Sequence, residues 1–408
     1  MRTDTPSDRA GFWTPTAAEA RLLLHRAGAT PAFVYSRAAL RAAVDRVRTA
    51  SVPGAELYYS LKANPHPGVV TALASLVDGF DVCSTAELET ALNAGMPAAK
   101  VLFTGPAKSR PEAAAALAAG VAVTVESPGQ ARLFAEVAEL LGVAGRAVVR
   151  LNTPYPSRAP GGAPSPNQFG VAAEDLDEVV GVLRGSALTV DGLHLFFGSQ
   201  YADAAVVDAA RRAALERARD VEERFGLRLG MVSVGGGIAL PWCDADPEVD
   251  WAGLEAAGGE PLPWGGGGRT VVCEYGRSIA GPAGVLLTTV LDVKTVGDRR
   301  YVAVDAGVNH LFIAGRLVAG GSRGEPLVRA VGAPQDGAPQ DAAQPGDAPE
   351  RAWVTGPLCS QLDVLAEDVP LPPVAVGDTL VFLGVGAYGP TFSPSGFLSR
   401  DQAREIVL

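Results

Sequence analysis

Two observations predict a (β/α)8 barrel joined to a β-rich domain, a fold of the α/β plus β class. From residue 30 to about 280, short β-rich runs alternate with Ala- and Leu-rich helical stretches. Past residue 284 the alternation stops, and strands follow one another through turns with little helix between them. Strands separated by helices build parallel sheets, whereas strands joined by turns build antiparallel ones. The expected division is a TIM-like barrel over 30–280 and a second, mostly antiparallel sandwich or barrel made from 1–29 and 281–408.

After the lead-in "PAFVYS", the barrel strands are expected at "ELYYSLKA", "FDVCS", "VLFTG", "AVTVES", "RAVVRLN", "LTVDGLHLFF", "MVSVGG" and "TVVCEYG". That is eight runs, the number that closes a barrel of this kind. Helical segments lie between most of them, such as 85–94 ("TAELETALNA") and 202–224. The second domain takes "VLLTTVLDVKTVG", "RRYVAVDAG", "PLVRAVG", "RAWVTGPLC" and "DTLVFLGVGAY" as strands. Two irregular stretches interrupt the pattern. "TPYPSRAPGGAPSPNQFG" follows Asn152 on the side where such barrels carry their working groups, and reads as a lid. Residues 332–350 repeat GAPQD, are rich in Pro, Ala, Gln and Asp, and read as an exposed, mobile insertion.

The chain has 408 residues, 48% of them hydrophobic, enough for a large core and more than one small domain. No apolar run is long enough to cross a bilayer, so no membrane association is expected. "MRTDTPSDRAGFW" lacks the apolar middle of a secretory signal, which points to a cytoplasmic protein. A formal net charge of −11 without a basic stripe argues against a nucleic-acid partner. Cys83, Cys243, Cys273 and Cys359 are scattered, as are the four histidines, so neither a metal cluster nor a disulfide framework is expected.

Working groups of such a barrel lie at the C-terminal ends of its strands, where Lys62, Ser199, Gly235–Gly237 and Glu274 all fall. A strand-end amine partly screened from water can lose its proton and condense with a carbonyl; the plain alternative is a solvated charge. Three glycines after "VSV" free backbone amides to cradle a phosphate, or simply make a tight turn. "WGGGGRT" precedes a strand and reads as a flexible loop. Ser199 can add a hydroxyl to the same phosphate or cap a turn. In "CEYGRS", Glu274 suits a protonated ring nitrogen and Arg277 a phosphate, unless the two form a structural ion pair. Cys359 offers a thiol after a Gly-Pro turn, and Tyr388 in "GAYGP" a phenol, although both residue types are commonly packed.

"YYSLKANP", "GFDVCSTAELETALNAG", "GLHLFFGSQ", "VGGG", "CEYGRS", "GPLCSQLDVLAED" and "GAYG" occur in a familiar order. Over roughly residues 30–400 the chain resembles the pyridoxal-phosphate-dependent decarboxylases of the alanine-racemase-like fold (fold type III), the group of the diaminopimelate and ornithine decarboxylases. The resemblance implies pyridoxal 5'-phosphate as cofactor, held by Lys62. Gly235, Gly236, Gly237, Ser199, Arg277 and Tyr388 would surround its phosphate, and Glu274 would face its pyridine nitrogen. Cys359 would serve as the acid, entering from the neighbouring subunit of a homodimer with shared active sites. Asp81, Arg150 and His194 match positions near the cofactor. A carboxylate at the ring nitrogen favours decarboxylation, whereas a racemase commonly carries an arginine there.

Two departures from the family pattern bear on the site. Phe196 stands where the family usually stacks a histidine on the cofactor ring; a phenyl ring can stack but carries no charge. Ser360 follows the cysteine where the diamino-acid enzymes usually place Asp or Glu against a distal amine. The "GPLC-x-x-LD" pattern resembles a subgroup from antibiotic and siderophore pathways, some of whose members act on aminoacyl groups tethered to a carrier protein. The expected substrate is an acidic amino acid tethered through its side chain, with Ser360, Asp363 and Arg150 as substrate contacts and an acyl carrier protein as partner. A basic patch of Arg211, Arg212, Arg217 and Arg219 would suit that partner; a solvated helix face is the other reading. The alternatives are a decarboxylase of free diaminopimelate, ornithine or lysine that uses Asp363, one acting on a citryl-linked siderophore intermediate, a racemase, or a cofactor-binding regulatory homologue.

Overall fold

A computed structural model describes residues 11–154, 167–243, 246–258, 264, 268–314, 328–331 and 349–408. Most of the expected insertion at 332–350, and residues 155–166 of the expected lid, lie outside the described residues. The chain divides into two compact units, one of Val44–Ala239 with Val249–Gly276, the other of Met1–Ala43, Leu240–Glu248 and Arg277–Leu408. It opens with α1 (Ala17–Ala27), β1 (Ala32–Tyr35) and α2 (Arg37–Thr49).

The first unit contains a closed barrel. Its strands are β2 (Glu56–Ser60), β3 (Gly79–Val82), β4 (Val101–Phe103), β5 (Ala122–Val125), β6 (Gly145–Arg150), β7 (Leu188–His194), β8 (Met231–Ser233) and β9 (Thr270–Tyr275). Each is parallel to the next, and β9 returns to β2. Between successive strands run α3 (Pro67–Leu73), α4 (Thr85–Asn93), α5 (Arg110–Ala119), α6 (Pro128–Leu141), α7 (Leu176–Arg184), α8 (Ala204–Phe225) and α9 (Trp251–Gly258). Ser84, Ser109, Ser127 and Asp203 start α4, α5, α6 and α8 by accepting a backbone N–H from the first turn, which satisfies a donor the helix itself cannot. All eight expected barrel runs are present.

Strands covered on both faces must be apolar throughout, and β3, β4 and β5 are buried at every position. Tyr58, Leu102, Ala122, Val148, Met231 and Val272 form one cluster of the core. The large Tyr58 and Met231 fit because glycines stand beside them. A Cβ on Gly79 would lie 2.4 Å from the Tyr58 ring, and one on Gly192 would lie 2.5 Å from both the Met231 side chain and its carbonyl oxygen.

The second unit is built on a sheet of β10 (Gly284–Val296), β11 (Arg299–Val304), β12 (Val328–Val331), β13 (Glu350–Thr355), β14 (Val364–Leu371), β15 (Thr379–Leu383) and β16 (Arg404–Val407), after the short α10 (Arg277–Ala280). The order is β12-β15-β10-β11-β13-β14, with β1 paired to β10 and to β16. Pairing is antiparallel except at β11–β13 and β1–β16. Ala20 and Leu23 of α1 pack with Val34, Val285, Leu287, Val381 and Leu383 as its core. The expected mostly antiparallel β domain is present, and β14 and β16 join it as strands that the sequence pattern does not announce.

Gly192→Ala should lower the unfolding free energy by about 1–3 kcal/mol, because the added methyl meets backbone that cannot rotate away. Urea unfolding of the variant checks this; an unchanged midpoint would show that β7 and β8 have slack there.

Candidate active site

Every strand of the barrel delivers a polar side chain at or just beyond its C-terminal end: Lys62, Asp81, Thr104, Glu126, Arg150, His194, Ser233 and Glu274. Lys62 sits in a single 3-10 turn (Leu61–Ala63) directly after β2. Tyr59 donates its hydroxyl to the Asn64 carbonyl at 3.0 Å, and the Asn64 side chain accepts the His66 amide at 3.0 Å, so the turn is locked on both sides. The break that Ala-Asn-Pro makes in the strand therefore has a fixed shape.

The Lys62 amine donates to Asp81 Oδ2 at 3.0 Å. Asp81 is fully buried, and its other oxygen accepts the Thr104 hydroxyl at 2.5 Å. Burial alone would raise the pKa of this carboxyl, but the Lys62 charge and the Thr104 hydrogen bond outweigh it and hold the group below its ordinary value. Asp81 is thus a buried anion that aims the lysine. Beside it, burial pushes the Cys83 thiol up to about 12, so that sulfur stays protonated and is no nucleophile.

A second polar chain crosses from β7 to β9. His194 Nε2 lies 3.0 Å from Glu274 Oε2, and Ser233 donates its hydroxyl to Glu274 Oε1 at 2.5 Å. A carboxylate can only accept, so Nε2 carries the imidazole proton toward Glu274. His194 Nδ1 is buried without a hydrogen-bond partner among the described residues. A charge on the His194 ring also helps to lower the Asp81 pKa.

The glycine run after β8 is required by close packing. A Cβ on Gly236 would lie 1.8 Å from the Glu274 carbonyl oxygen, and Gly237, at φ +89°, comes within 2.5 Å of the Gly198 carbonyl in the same sense. No other residue fits there, so the loop lies against the end of β9 and against the loop carrying Phe196 and Ser199. Tyr201 fastens that second loop by donating its hydroxyl to the Phe197 carbonyl at 2.6 Å and its amide to the Gly237 carbonyl. Phe196 is half-buried and Ser199 exposed.

Arg150 belongs to a buried ionic cluster. Its guanidinium reaches Glu126 at 3.4 Å and lies 4.6 Å from the centre of the Phe169 ring. Glu126 also accepts the amides of Gly105 at 3.2 Å and Gly170 at 3.0 Å, tying three loops together. Lys108 stands 4.0 Å from Glu126 and donates to the carbonyls of Gly105 and Thr124. Burial pushes the Lys108 amine down to about 8, with Glu126 opposing the shift.

The remaining candidates belong to the second unit. The Arg277 guanidinium carbon lies 4.5 Å from the centre of the Trp242 ring and 5.1 Å from that of Tyr388, whose side chain also hydrogen-bonds it. Cys359 is exposed. Asp363 is buried, and its carboxylate accepts the amides of Val308 at 2.7 Å and Leu358 at 2.6 Å. Burial raises its pKa against those two donors. Asp363 therefore holds the Cys359 loop together.

Of the four α8 arginines weighed as a basic patch or a solvated helix face, three are engaged within the protein. Arg211 is buried and donates to the Ala50 carbonyl and the Tyr275 hydroxyl, while Arg212 and Arg217 pair with Asp208 and Asp220 of the same helix. Among the described residues no group of three or more His, Cys, Asp or Glu is arranged to hold a metal, and no helix is long and apolar enough to cross a membrane.

A family model described as pyridoxal-dependent decarboxylase, pyridoxal binding domain, matches residues 37–281. The chain belongs to the pyridoxal-dependent decarboxylases. It is 34% identical over 396 residues to a diaminopimelate decarboxylase of Pseudomonas aeruginosa, spanning 93% of this chain and 88% of that one. It is 27% identical over 386 residues to the L-glutamyl-(BtrI acyl-carrier protein) decarboxylase of Niallia circulans, with the same coverage of 93% and 88%. Its fold is similar to a crystal structure of Helicobacter pylori diaminopimelate decarboxylase complexed with L-lysine, with a TM-score of 0.77, 26% identity, and coverage of 95% of this chain and 94% of that chain.

This decarboxylase binds pyridoxal phosphate, and its residues fit that group. They include an aimed amine at Lys62, a buried carboxylate at Glu274, the unpartnered Nδ1 of His194, and backbone amides in a glycine loop that a Cβ would close. Bound pyridoxal phosphate supplies an electron sink for the pair left on the α-carbon as CO2 departs. Ser233, Thr104, Glu126 and Lys108 are the polar residues that sequence reasoning passes over. Ser233 left one faint signal, a hydroxyl inside "VSV" just ahead of the glycines.

The Lys108 amine gives the site a pH signature. Folded, it releases its proton near pH 8, whereas an unfolded lysine holds its proton to about 10.5. Between those values the unfolded chain binds the extra proton, so stability rises with pH. Lys108→Met should remove that rise, on the order of 3 kcal/mol across the window, in urea unfolding at pH 8 and pH 10. A variant with the wild-type slope would place the titrating group elsewhere.

Proposed function

We propose that this enzyme releases CO2 from the α-carbon of an acidic amino acid tethered through its side chain to a carrier protein. The observation that carries the reading is the state of the Cys359 loop. Diamino-acid substrates present a distal ammonium, which needs a carboxylate partner if it is to be buried. Between Gly356 and Asp363 the loop contains one acid, Asp363, and both of its oxygens are engaged by backbone amides. Ser360 offers a hydroxyl, which suits an uncharged amide or thioester linkage. The similarity to the decarboxylase of a carrier-bound glutamyl group supports the same choice.

In this reading Lys62 carries the cofactor and is aimed by Asp81. Glu274, steadied by His194 and Ser233, keeps the pyridine nitrogen protonated. The amides of Gly235–Gly237, with Ser199, Arg277 and Tyr388, hold the phosphate, and Phe196 covers the ring. Arg150, anchored by Glu126, meets the substrate carboxylate. Cys359 is the proton donor to the α-carbon, and its exposure suits a thiol that completes the site of a second subunit in a cytoplasmic homodimer. The identity to diaminopimelate decarboxylases favours one competing reading, a free diamino acid as substrate.

Measuring CO2 release on two panels separates them. One panel holds free lysine, ornithine, diaminopimelate and glutamate; the other holds glutamate and related acids loaded on carrier proteins through the side-chain carboxyl. Turnover confined to the second panel is expected. Turnover of a free diamino acid would overturn the tethered substrate and require another anion for the distal amine.

A further inference from the structure

Two cations lean on one acid at the barrel rim. Arg150 meets Glu126 Oε1 at 3.4 Å, and the Lys108 amine stands 4.0 Å from the same oxygen. The Gly105 amide donates to that oxygen as well, at 3.2 Å, while the Gly105 carbonyl accepts the Lys108 amine at 2.5 Å. Gln130 closes the group, its side-chain oxygen accepting from Lys108 and from the Glu126 amide, each at 3.2 Å. Lys108, Glu126, Gln130 and Arg150 are all buried, so bulk water does not answer their charges.

The balance of charge is left positive. Of the acids near Lys108, Asp81 is taken up by Lys62 and Thr104, and Glu112 of α5 is committed to Ser109 at the helix start. The Cys83 thiol stays protonated, and α6 faces the amine with Gln130 and the Phe134 ring, neither of them charged. Glu126 therefore stands alone between Lys108 and Arg150. Among the described residues Arg150 makes one hydrogen bond, the long one to Glu126, which leaves most of its N–H groups for a ligand. A carboxylate arriving at Arg150 supplies the missing negative charge. If Lys108 loses its proton, which burial brings down to about pH 8, Glu126 turns wholly to Arg150 and the group closes at zero charge.

We propose that Lys108 is a positioning residue for carboxylate recognition: its ammonium group shares Glu126 with Arg150 and so keeps Arg150 available to the substrate. The proposal rests on the reading of Arg150 as the contact of the substrate carboxylate. By linkage the effect is reciprocal, and carboxylate binding makes Lys108 hold its proton more tightly.

The test is calorimetric titration of the cofactor-loaded enzyme with glutaramate, which has one carboxylate and no amine, in two buffers of different ionisation enthalpy. Glutaramide, which lacks the carboxylate, is the control. Binding of glutaramate to the wild type should weaken about tenfold between pH 7 and pH 10, a coupling of ordinary size. Near pH 8.5 binding should take up about half a proton. Lys108→Met, and Lys108→Gln, which keeps a hydrogen-bond donor, should bind about tenfold more weakly at pH 7 and take up no proton. A merely structural role for Lys108 would weaken binding without abolishing the uptake. Wild-type binding without uptake, uptake that survives in the variants, or uptake with glutaramide would overturn the proposal, and weaker binding by Arg150→Met would then leave Arg150 in its role. No binding by the wild type, or unchanged affinity in Arg150→Met, would remove the carboxylate role of Arg150 and the proposal with it.

Discussion

The site is organised around a charge that has no access to water. Asp81 is fully buried, and a carboxylate in that position persists only if its charge is answered by close partners. Lys62 supplies the countercharge and Thr104 a hydroxyl, and together they outweigh burial. The arrangement works in both directions. Lys62 keeps Asp81 ionised, and Asp81 keeps a flexible four-carbon side chain aimed at one point. Its side chain remains 49% exposed, so the amine is oriented and still open to a small molecule. A separate hydrogen-bonded group of His194, Glu274 and Ser233 lies at the ends of β7, β9 and β8.

What could be read in advance follows from how local each signal is. The barrel strands are short apolar runs between helices, a pattern visible without knowing what packs on what. Lys62, Glu274 and the glycine run were legible for the same reason, since each ends a strand. β14 was passed over because "VLAEDVPL" carries two acids and a proline inside it, and its pairing with β13 is broken by register shifts. β16 is four residues long and becomes a strand only by adding to β1. Glu126 and Lys108 are charged residues in loops or helix starts, and only folding reveals that both are buried. Trp242 follows the glycines without a motif, and its contact with Arg277 appears only when the chain returns through α10.

The same distinction explains the substrate argument. From sequence, Asp363 is a candidate partner for a distal amine, being an acid four residues past the cysteine. In the structure its carboxylate is spent on the amides of Val308 and Leu358, which shape the loop that presents Cys359. The arginines of α8 changed meaning in a similar way. Arg211 is wedged into the barrel wall against Tyr275, and two neighbours neutralise acids one turn away. Recognition of a carrier protein would therefore need basic groups elsewhere on the surface.

The barrel has two buried or partly buried lysines at its rim, and chemistry alone does not choose between them. Burial pushes the Lys108 pKa down to about 8, but that amine is enclosed and committed to carbonyls, whereas Lys62 is aimed and open. The direct test is to reduce the cofactor-loaded enzyme with borohydride, digest it, and locate the pyridoxyl group by mass spectrometry. The account predicts the label on the peptide containing Lys62 and none on Lys108. A label on Lys108, or on any other lysine, would contradict it.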